Sequence, residues 1–354
     1  MNYKVKERFI NDNEIGISKF LEKNLPYPFS SDFFNWQYNR EGAIFYYIED
    51  ELENEVVGVN GLIPYFLTDK VGGYKTAKSE TSYLSSTHQG KGLFKKLYHD
   101  LMIKSKHDGF DLVWGFTKLG ELWSKLGFNV AEGYLSESTI VIHPSYALQK
   151  TKFPNENRFK SIVRFFYNKY RQVYLYLFLN FLKDKNKITQ KSDFIDYSEL
   201  LIFNQKIKEK NPELLFFELN KCNIDDVILK NPKLNYHFIS FYNKDIMIGY
   251  LIYTEKNFSV NITDIQSLDN YYLEKMLLSF FRNINGQVYD ISYFGNYQNE
   301  TSKFIFNFFK KINASNSFSE MKIVYKLNSE KISSNILNLK NWYINSLWTE
   351  SIHR

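Results

Sequence analysis

The sequence predicts a mixed α/β protein made of two tandem copies of one strand-and-helix pattern, joined by a helical connector. Three observations carry this. Strand-like and helix-like periods alternate through residues 1–143. A basic, aromatic stretch at 144–194 lacks that alternation. From 195 to 354 the order returns, with Gly249 placed in its strand as Gly58 is placed in the earlier one.

In the first copy, residues 3–9 read as a strand and 14–22 as a helix, followed by a short helix at 31–38 with Ser31 or Asp32 near its N-cap. Residues 43–49 and 56–67 alternate as strands around an acidic turn, and Gly72-Gly73 leads into a strand at 75–86. Leu93, Leu97 and Leu101 recur at helical spacing until Gly109. Residues 110–116 form a nearly unbroken apolar run, as in a strand covered on both faces. A short helix at 119–126 stops at Gly127, and a last strand at 135–142 ends at Pro144.

The connector reads as two helices, with polar breaks at 155–157 and 183–187. Its ten-residue apolar run, 173–182, reads as buried helix packing across two domains in preference to a membrane-surface role. The second copy then runs helix 225–231, strands 235–242, 245–253 and 258–265, helix 271–281, strand 288–294, helix 301–311 and strand 321–327.

Composition narrows the classes. The lone cysteine, Cys222, excludes an intramolecular disulfide and suits a reducing cytoplasm. Residues 1–6 hold no apolar signal core, and no run reaches the roughly 18 apolar residues of a membrane span. A net charge of +6 is too weak to point to nucleic acid, but it suits a ligand carrying phosphates. Aromatic residues make up 18%, which follows from compositional bias as readily as from any ligand.

The chemistry concentrates in Gln89-Gly90-Lys91-Gly92-Leu93-Phe94, a glycine-punctuated turn between a strand and a helix. Its two glycines let the backbone approach a ligand, and the first amides of the following helix lack intrahelical acceptors. Together with the helix dipole and Lys91, Lys95 and Lys96 they form an anion site. There is no third glycine for a dinucleotide fingerprint, and no Walker loop.

This stretch resembles the Gln/Arg-x-x-Gly-x-Gly/Ala pyrophosphate loop of the GNAT acyl-CoA N-acyltransferases, and Glu121-Leu-Trp-Ser-Lys-Leu-Gly-Phe128 resembles that family's next helix with its Leu-Gly-Phe ending. The resemblance implies two tandem GNAT-like folds: an acyl-CoA domain at 1–143, a connector at 144–194, and a degenerate copy at 195–354. In the second copy the corresponding loop, 265–271, has no glycine, so it is not expected to bind coenzyme A.

By the same resemblance the amides of Gln89, Gly90, Lys91, Gly92, Leu93 and Phe94 hold the pyrophosphate. The backbone of Leu84, Ser85 and Ser86 pairs with the pantetheine arm, with the Leu84 or Ser85 amide facing the oxyanion. Gly115-Phe116-Thr117 ends a splayed strand that leaves room for the thioester. Phe94 replaces the family's small residue, and Trp123 stands where many members carry an acidic Tyr, so Trp123 is either a wall of the channel or core. Glu80 is the candidate base, on one strand face with Lys78. His88 is the titratable alternative. Acceptor contacts are expected around 35–38 and 60–65.

The implied function is transfer of an acetyl or 3-hydroxyacyl group, such as 3-hydroxybutanoyl, from acyl-CoA to the amino group of a nucleotide-linked sugar. The expected acceptor is a dTDP-3-amino-3,6-dideoxyhexose used in surface polysaccharide synthesis in bacterial cytoplasm. No metal, nucleic acid or membrane insertion is expected. The alternatives are another small-molecule or peptide N-acetyltransferase, a Fem-type aminoacyl-tRNA-dependent ligase, which needs no pyrophosphate loop, and a scaffold without chemistry.

Overall fold

A computed structural model describes residues 2–8, 15–25, 30–142, 158–181, 188–193, 195–221, 224–284, 288–329 and 334–348. In chain order the elements are β1 (Tyr3–Glu7), α1 (Ile15–Asn24), α2 (Ser31–Tyr38), β2 (Ile44–Asp50), β3 (Glu55–Thr68), β4 (Gly73–Leu84), α3 (Leu93–His107), β5 (Leu112–Thr117), α4 (Gly120–Lys125), β6 (Asn129–Ala131) and β7 (Leu135–Val141). There follow α5 (Arg158–Phe181), β8 (Thr189–Ser192), α6 (Tyr197–Lys210), β9 (Phe216–Phe217), β10 (Tyr236–Asn243), β11 (Ile246–Lys256) and β12 (Ser259–Ser267). The chain finishes with α7 (Asn270–Asn283), β13 (Asp290–Asn296), α8 (Glu300–Lys311), β14 (Ser315–Phe318), β15 (Lys322–Leu327) and α9 (Ser334–Leu337). The mixed α/β class expected from the sequence is the one observed.

Two compact units emerge, and they are interleaved in sequence. The first comprises Met1–Glu132, Cys222–Lys233 and Glu320–Ile336; the second comprises Gly133–Lys221, Leu234–Ser319 and Leu337–Arg354. The first sheet follows the path β1-β2-β3-β4-β5-β15-β6, and the second runs β14-β7-β13-β12-β11-β10-β8. Two strands therefore lie elsewhere than their sequence position suggests. β7 pairs antiparallel with β13, from Leu135↔Asn296 to Val141↔Asp290, and β15 pairs with β5, from Lys322↔Thr117 to Leu327↔Leu112. Each unit thus takes one interior strand, next to the edge of its sheet, from the other half of the chain. A short alternating strand shows which residues face a core, but not whose core.

Along the path just given the first sheet is mainly antiparallel, and β4 pairs in parallel with β5 only at Thr76↔Leu112, Ala77↔Val113 and Lys78↔Trp114. On one face α3 buries Leu93, Leu97, Tyr98 and Leu101 against Ile44, Ile48, Val57, Leu62, Ala77 and Val113. Each such side chain stabilises the fold by about 1.5–3 kcal/mol. Ser30, one residue before the expected cap, accepts from the Phe33 amide at the start of α2. Gly109 ends α3 with φ 75°, as expected of a left-handed stop.

In the second unit α7 and α8 pack on the sheet through Leu273, Met276, Leu277, Phe280, Ile305 and Phe309. Residues 225–231, expected as an ordinary helix, form a π-type turn over Ile224–Leu229. The connector has one described helix, α5, and its apolar run is not buried as expected. Leu175 is buried, yet Val173, Tyr176 and Leu177 are 50%, 68% and 46% exposed. The expected breaks at 155–157 and 183–187, and Cys222, lie outside the described residues.

Candidate active site

The site begins where β4 leaves β5. After Lys78↔Trp114 the two parallel strands part, and a bulge follows at once in β4. Val59 pairs with Tyr83 but Gly61 pairs with Glu80, so Thr81 and Ser82 together oppose Asn60. Thr81 adopts φ 54°, a left-handed conformation that a β-branched residue rarely takes.

A buried polar cluster holds this bulge. Ser82 Oγ donates to Asn60 Oδ1 at 2.9 Å and meets the Tyr98 hydroxyl at 3.1 Å. Ser79 Oγ also contacts the Tyr98 hydroxyl, so α3 is latched to the strand. Burial pushes the Tyr98 phenol well above its ordinary range, despite the hydrogen bonds from the serines. Asn60 is fully buried, and its amide nitrogen has no hydrogen-bond partner. Asn60 falls in the 60–65 stretch expected to contact the acceptor, whereas Ser79, Ser82 and Tyr98 carried no functional expectation. The available signal was a polar Asn60 inside the apolar run of β3.

Beyond the bulge the ladder sorts the backbone of β4. The Ser85 amide donates to the Val57 carbonyl at 2.8 Å, and Ser85 O accepts from His88 N at 2.9 Å. The Ser85 amide is thus engaged within the sheet, while its carbonyl, with one bond from His88, keeps a second acceptor position. Antiparallel residues alternate in direction, so Leu84, between Tyr83 and Ser85, turns its backbone away from β3. The Gln89 side chain reaches the Leu84 carbonyl there, at 3.4 Å.

The loop then rises through a 3₁₀ turn, Ser86–His88, to Gly90 and Gly92, at φ 77° and 74°. A Cβ on either glycine would point into open space, so it is the backbone conformation that calls for glycine here. Gly92 is the N-cap of α3 and offers no side-chain cap, while Lys96 N is the first helix amide bonded back, to Gly92 O at 3.1 Å. The amides of Leu93, Phe94 and Lys95 form the first turn of a 15-residue helix whose dipole points out at this spot. Lys91 Nζ donates to the Tyr3 hydroxyl at 2.9 Å, and Lys95 is exposed beside the loop. Phe94 is half-buried and packs on Tyr98 at 5.1 Å, accommodating the departure from a small residue.

On the face of β4 away from α3 lies Lys78, fully buried, with its ammonium against the Glu80 carboxylate and 5.9 Å from the Tyr65 ring. This ion contact satisfies Lys78 Nζ in the interior. Glu80 keeps 16% of its side chain exposed. His88 is drawn off toward Asp50, at 3.7 Å, and Thr87, at 2.9 Å. Thr117 Oγ1 accepts from Leu119 N at 2.9 Å and so opens the turn into α4. Trp123 is core: it packs edge-on against Tyr98 and Phe128, at 4.8 Å from each. Around 35–38, Tyr38 is buried where a Cβ on Gly61 would overlap its ring, and Trp36 Nε1 donates to Asp226 O at 2.6 Å.

A conserved protein of unknown function from Enterococcus faecalis V583 superposes with a TM-score of 0.61 at 11% identity, over 92% of this chain and 72% of that one. A GCN5-related N-acetyltransferase from Anabaena variabilis gives 0.59 at 11%, over 92% and 73%. The Saccharomyces cerevisiae N-myristoyltransferase, solved with myristoyl-CoA and inhibitors, gives 0.58 at 9%, over 92% and 80%. The fold is GNAT, in tandem. No family model and no curated protein matches the sequence.

The second GNAT fold repeats the divergence and then fills it. β12 and β13 pair in parallel only from Ser259↔Asp290 to Ile262↔Tyr293. Between their parted ends runs the segment 344–347: Leu347 N donates to Thr263 O, Asn296 N donates to Ile344 O, and Asn345 Nδ2 donates to Asp264 Oδ1 at 2.7 Å. At the start of α7, Asp269 accepts from Tyr272 N, so a carboxylate occupies the place of the bare glycine cap. In this unit the loop lacks glycine, the helix terminus is already capped by a negative charge, and the cleft is plugged.

Proposed function

We propose that the chain is an acyl-CoA-dependent N-acyltransferase whose first GNAT fold carries the reaction. The observation that carries this reading is the uncapped α3 terminus behind Gly90-Lys91-Gly92, at the end of the strand that diverges from β5. A diphosphate fits there because no Cβ intrudes and the first-turn amides point at it. Leu84 presents its backbone toward the arm that follows, and the bulge holds the neighbouring backbone rigid for a developing oxyanion.

The amine nitrogen attacks the thioester carbon, a C–N bond forms, the C–S bond breaks, and coenzyme A leaves as the thiolate. Glu80 takes the amine proton, directly or through one water, and Lys78 holds its carboxylate in place. The indole N–H of Trp123 is not acidic enough to protonate a thiolate and the side chain sits in the core, so the thiolate departs without an acid from that position.

The acceptor we propose is the amine of a nucleotide-linked amino sugar, of the dTDP-3-amino-3,6-dideoxyhexose kind, on the strength of the sequence resemblance. Thiol release from acetyl-CoA and 3-hydroxybutanoyl-CoA, against nucleotide-linked amino sugars, free amino sugars and peptide amines, tests it. Turnover confined to the nucleotide-linked amines supports the reading. Turnover with peptide amines alone removes the sugar, and failure to bind coenzyme A removes acyl transfer.

A further inference from the structure

Helix α5 carries an apolar stripe that faces outward. It spans 24 residues, about 36 Å at the usual rise. Its inward side is fixed to the second unit near its C-terminal end. Leu175 is buried, Phe178 and Leu179 pack on the same core, Tyr174 donates to Lys311 O at 3.1 Å, and Arg282 donates to Leu179 O at 2.7 Å. The opposite side holds Ile162, Phe166, Tyr170, Val173 and Leu177, at spacings of four, four, three and four. Their exposures are 52%, 66%, 62%, 50% and 46%, and Val163 and Tyr167 widen the stripe at 52% and 48%. Among the described residues nothing covers it. An apolar surface this long is not an ordinary feature of a solvated helix.

Its charge narrows the occupant. The helix contains Arg158, Lys160, Arg164, Lys169 and Arg171, and neither Asp nor Glu. A second copy laid face to face would set one wholly cationic helix against another. A water-facing anionic surface with an apolar interior satisfies both halves of the pattern: the helix's net positive charge is attracted to the headgroups, and Ile, Phe, Val and Leu sink to the acyl boundary with Tyr at the interface. Five cations within 24 residues exclude a spanning helix, and no described helix is long and apolar enough to cross a membrane.

We propose that α5 docks the protein peripherally, lying flat on an anionic lipid bilayer through its outward stripe. The acyltransfer reading neither requires this surface nor depends on it. The test is co-sedimentation of the full chain with vesicles of phosphatidylglycerol mixed into phosphatidylcholine, and with phosphatidylcholine alone, at low and high salt. Binding should be confined to the anionic vesicles, weaken with salt, and fall at least about tenfold in Phe166→Asp and Val173→Asp. Both side chains are at least half exposed, so the variants should keep the wild-type unfolding midpoint, which separates lost docking from lost fold. Equal binding to both vesicles, binding unchanged in both variants, or no binding at all would overturn the proposal. So would a dimer that Phe166→Asp dissociates and that ignores vesicles.

Discussion

Gly92 and Gly109 form a matched pair, because they flank the same helix with the same backbone conformation. Gly92 has φ 74° before α3 and Gly109 has φ 75° after it, and at neither would an added Cβ meet an atom within 4 Å. Alanine at either place therefore carries only left-handed strain, about 1–2 kcal/mol. For a unit of this size that lowers the unfolding midpoint by roughly 2–8 °C in each variant. Their ligand terms differ. At Gly92 the methyl is added at the N-cap of α3, next to the first-turn amides against which the proposed diphosphate would sit. Displacing the anion enough to lose one charge-assisted hydrogen bond costs about 1.5–3 kcal/mol, or roughly 10–150-fold in Kd. Calorimetric titration with coenzyme A, paired with thermal unfolding, reads both quantities. Gly92→Ala should bind at least about tenfold more weakly than wild type while Gly109→Ala stays within about twofold, and Gly92→Glu should lose binding altogether. Equal affinities for wild type and both alanine variants would refute the assignment of the anion to this helix terminus.

Three further outcomes follow from the same geometry. Glu80→Gln keeps an oxygen for the Lys78 ammonium, so coenzyme A affinity should hold while acyl transfer falls by about 10²–10⁴, measured by thiol release. Tyr98→Phe leaves the ring packed on Trp123 and Phe128 but strips the hydroxyl from Ser79 and Ser82; denaturant unfolding should show a loss of about 1–3 kcal/mol. Burial pushes the Asp264 carboxyl up to about 7 from an ordinary value of 3.8, against the hydrogen bonds from Tyr250, the Ile265 amide and Tyr343. The folded chain keeps this proton after the unfolded chain has released it, so stability declines as pH rises from about 4 to about 7, by on the order of 4 kcal/mol, and then levels. Asp264→Asn should flatten that decline in urea unfolding at roughly pH 5 and 8; an unchanged slope would show that Asp264 does not hold its proton in the fold.

Much of the candidate site was legible because its signals are local. Gly90 and Gly92 announce a left-handed turn by themselves, and the Leu93, Leu97, Leu101 spacing announces the helix that follows. The elements around them fall within a few residues of their expected bounds. The bulge was not legible, since an extra residue in β4 exists only relative to its partner β3. Nor was the choice between Leu84 and Ser85, because the direction of a backbone amide depends on ladder register. The outward stripe of α5 was misjudged for a related reason: apolar spacing marks a face but does not say whether anything covers it.

By itself the sequence determined the mixed α/β class, the order of the longer strands and helices of the first copy, the glycine turn before α3, and the absence of a comparable turn in the second copy, but not α6 or the short strands β6, β8, β9 and β14. These rest on steric and hydrogen-bonding preferences acting over a few residues. The tertiary structure alone decided that β7 and β15 change places between the units, that Asn60, Ser79, Ser82 and Tyr98 lock the bulge, and that residues 344–347 close the second cleft. Those outcomes depend on which distant segments share a sheet, and short strands with the same alternation carry no label for their partner.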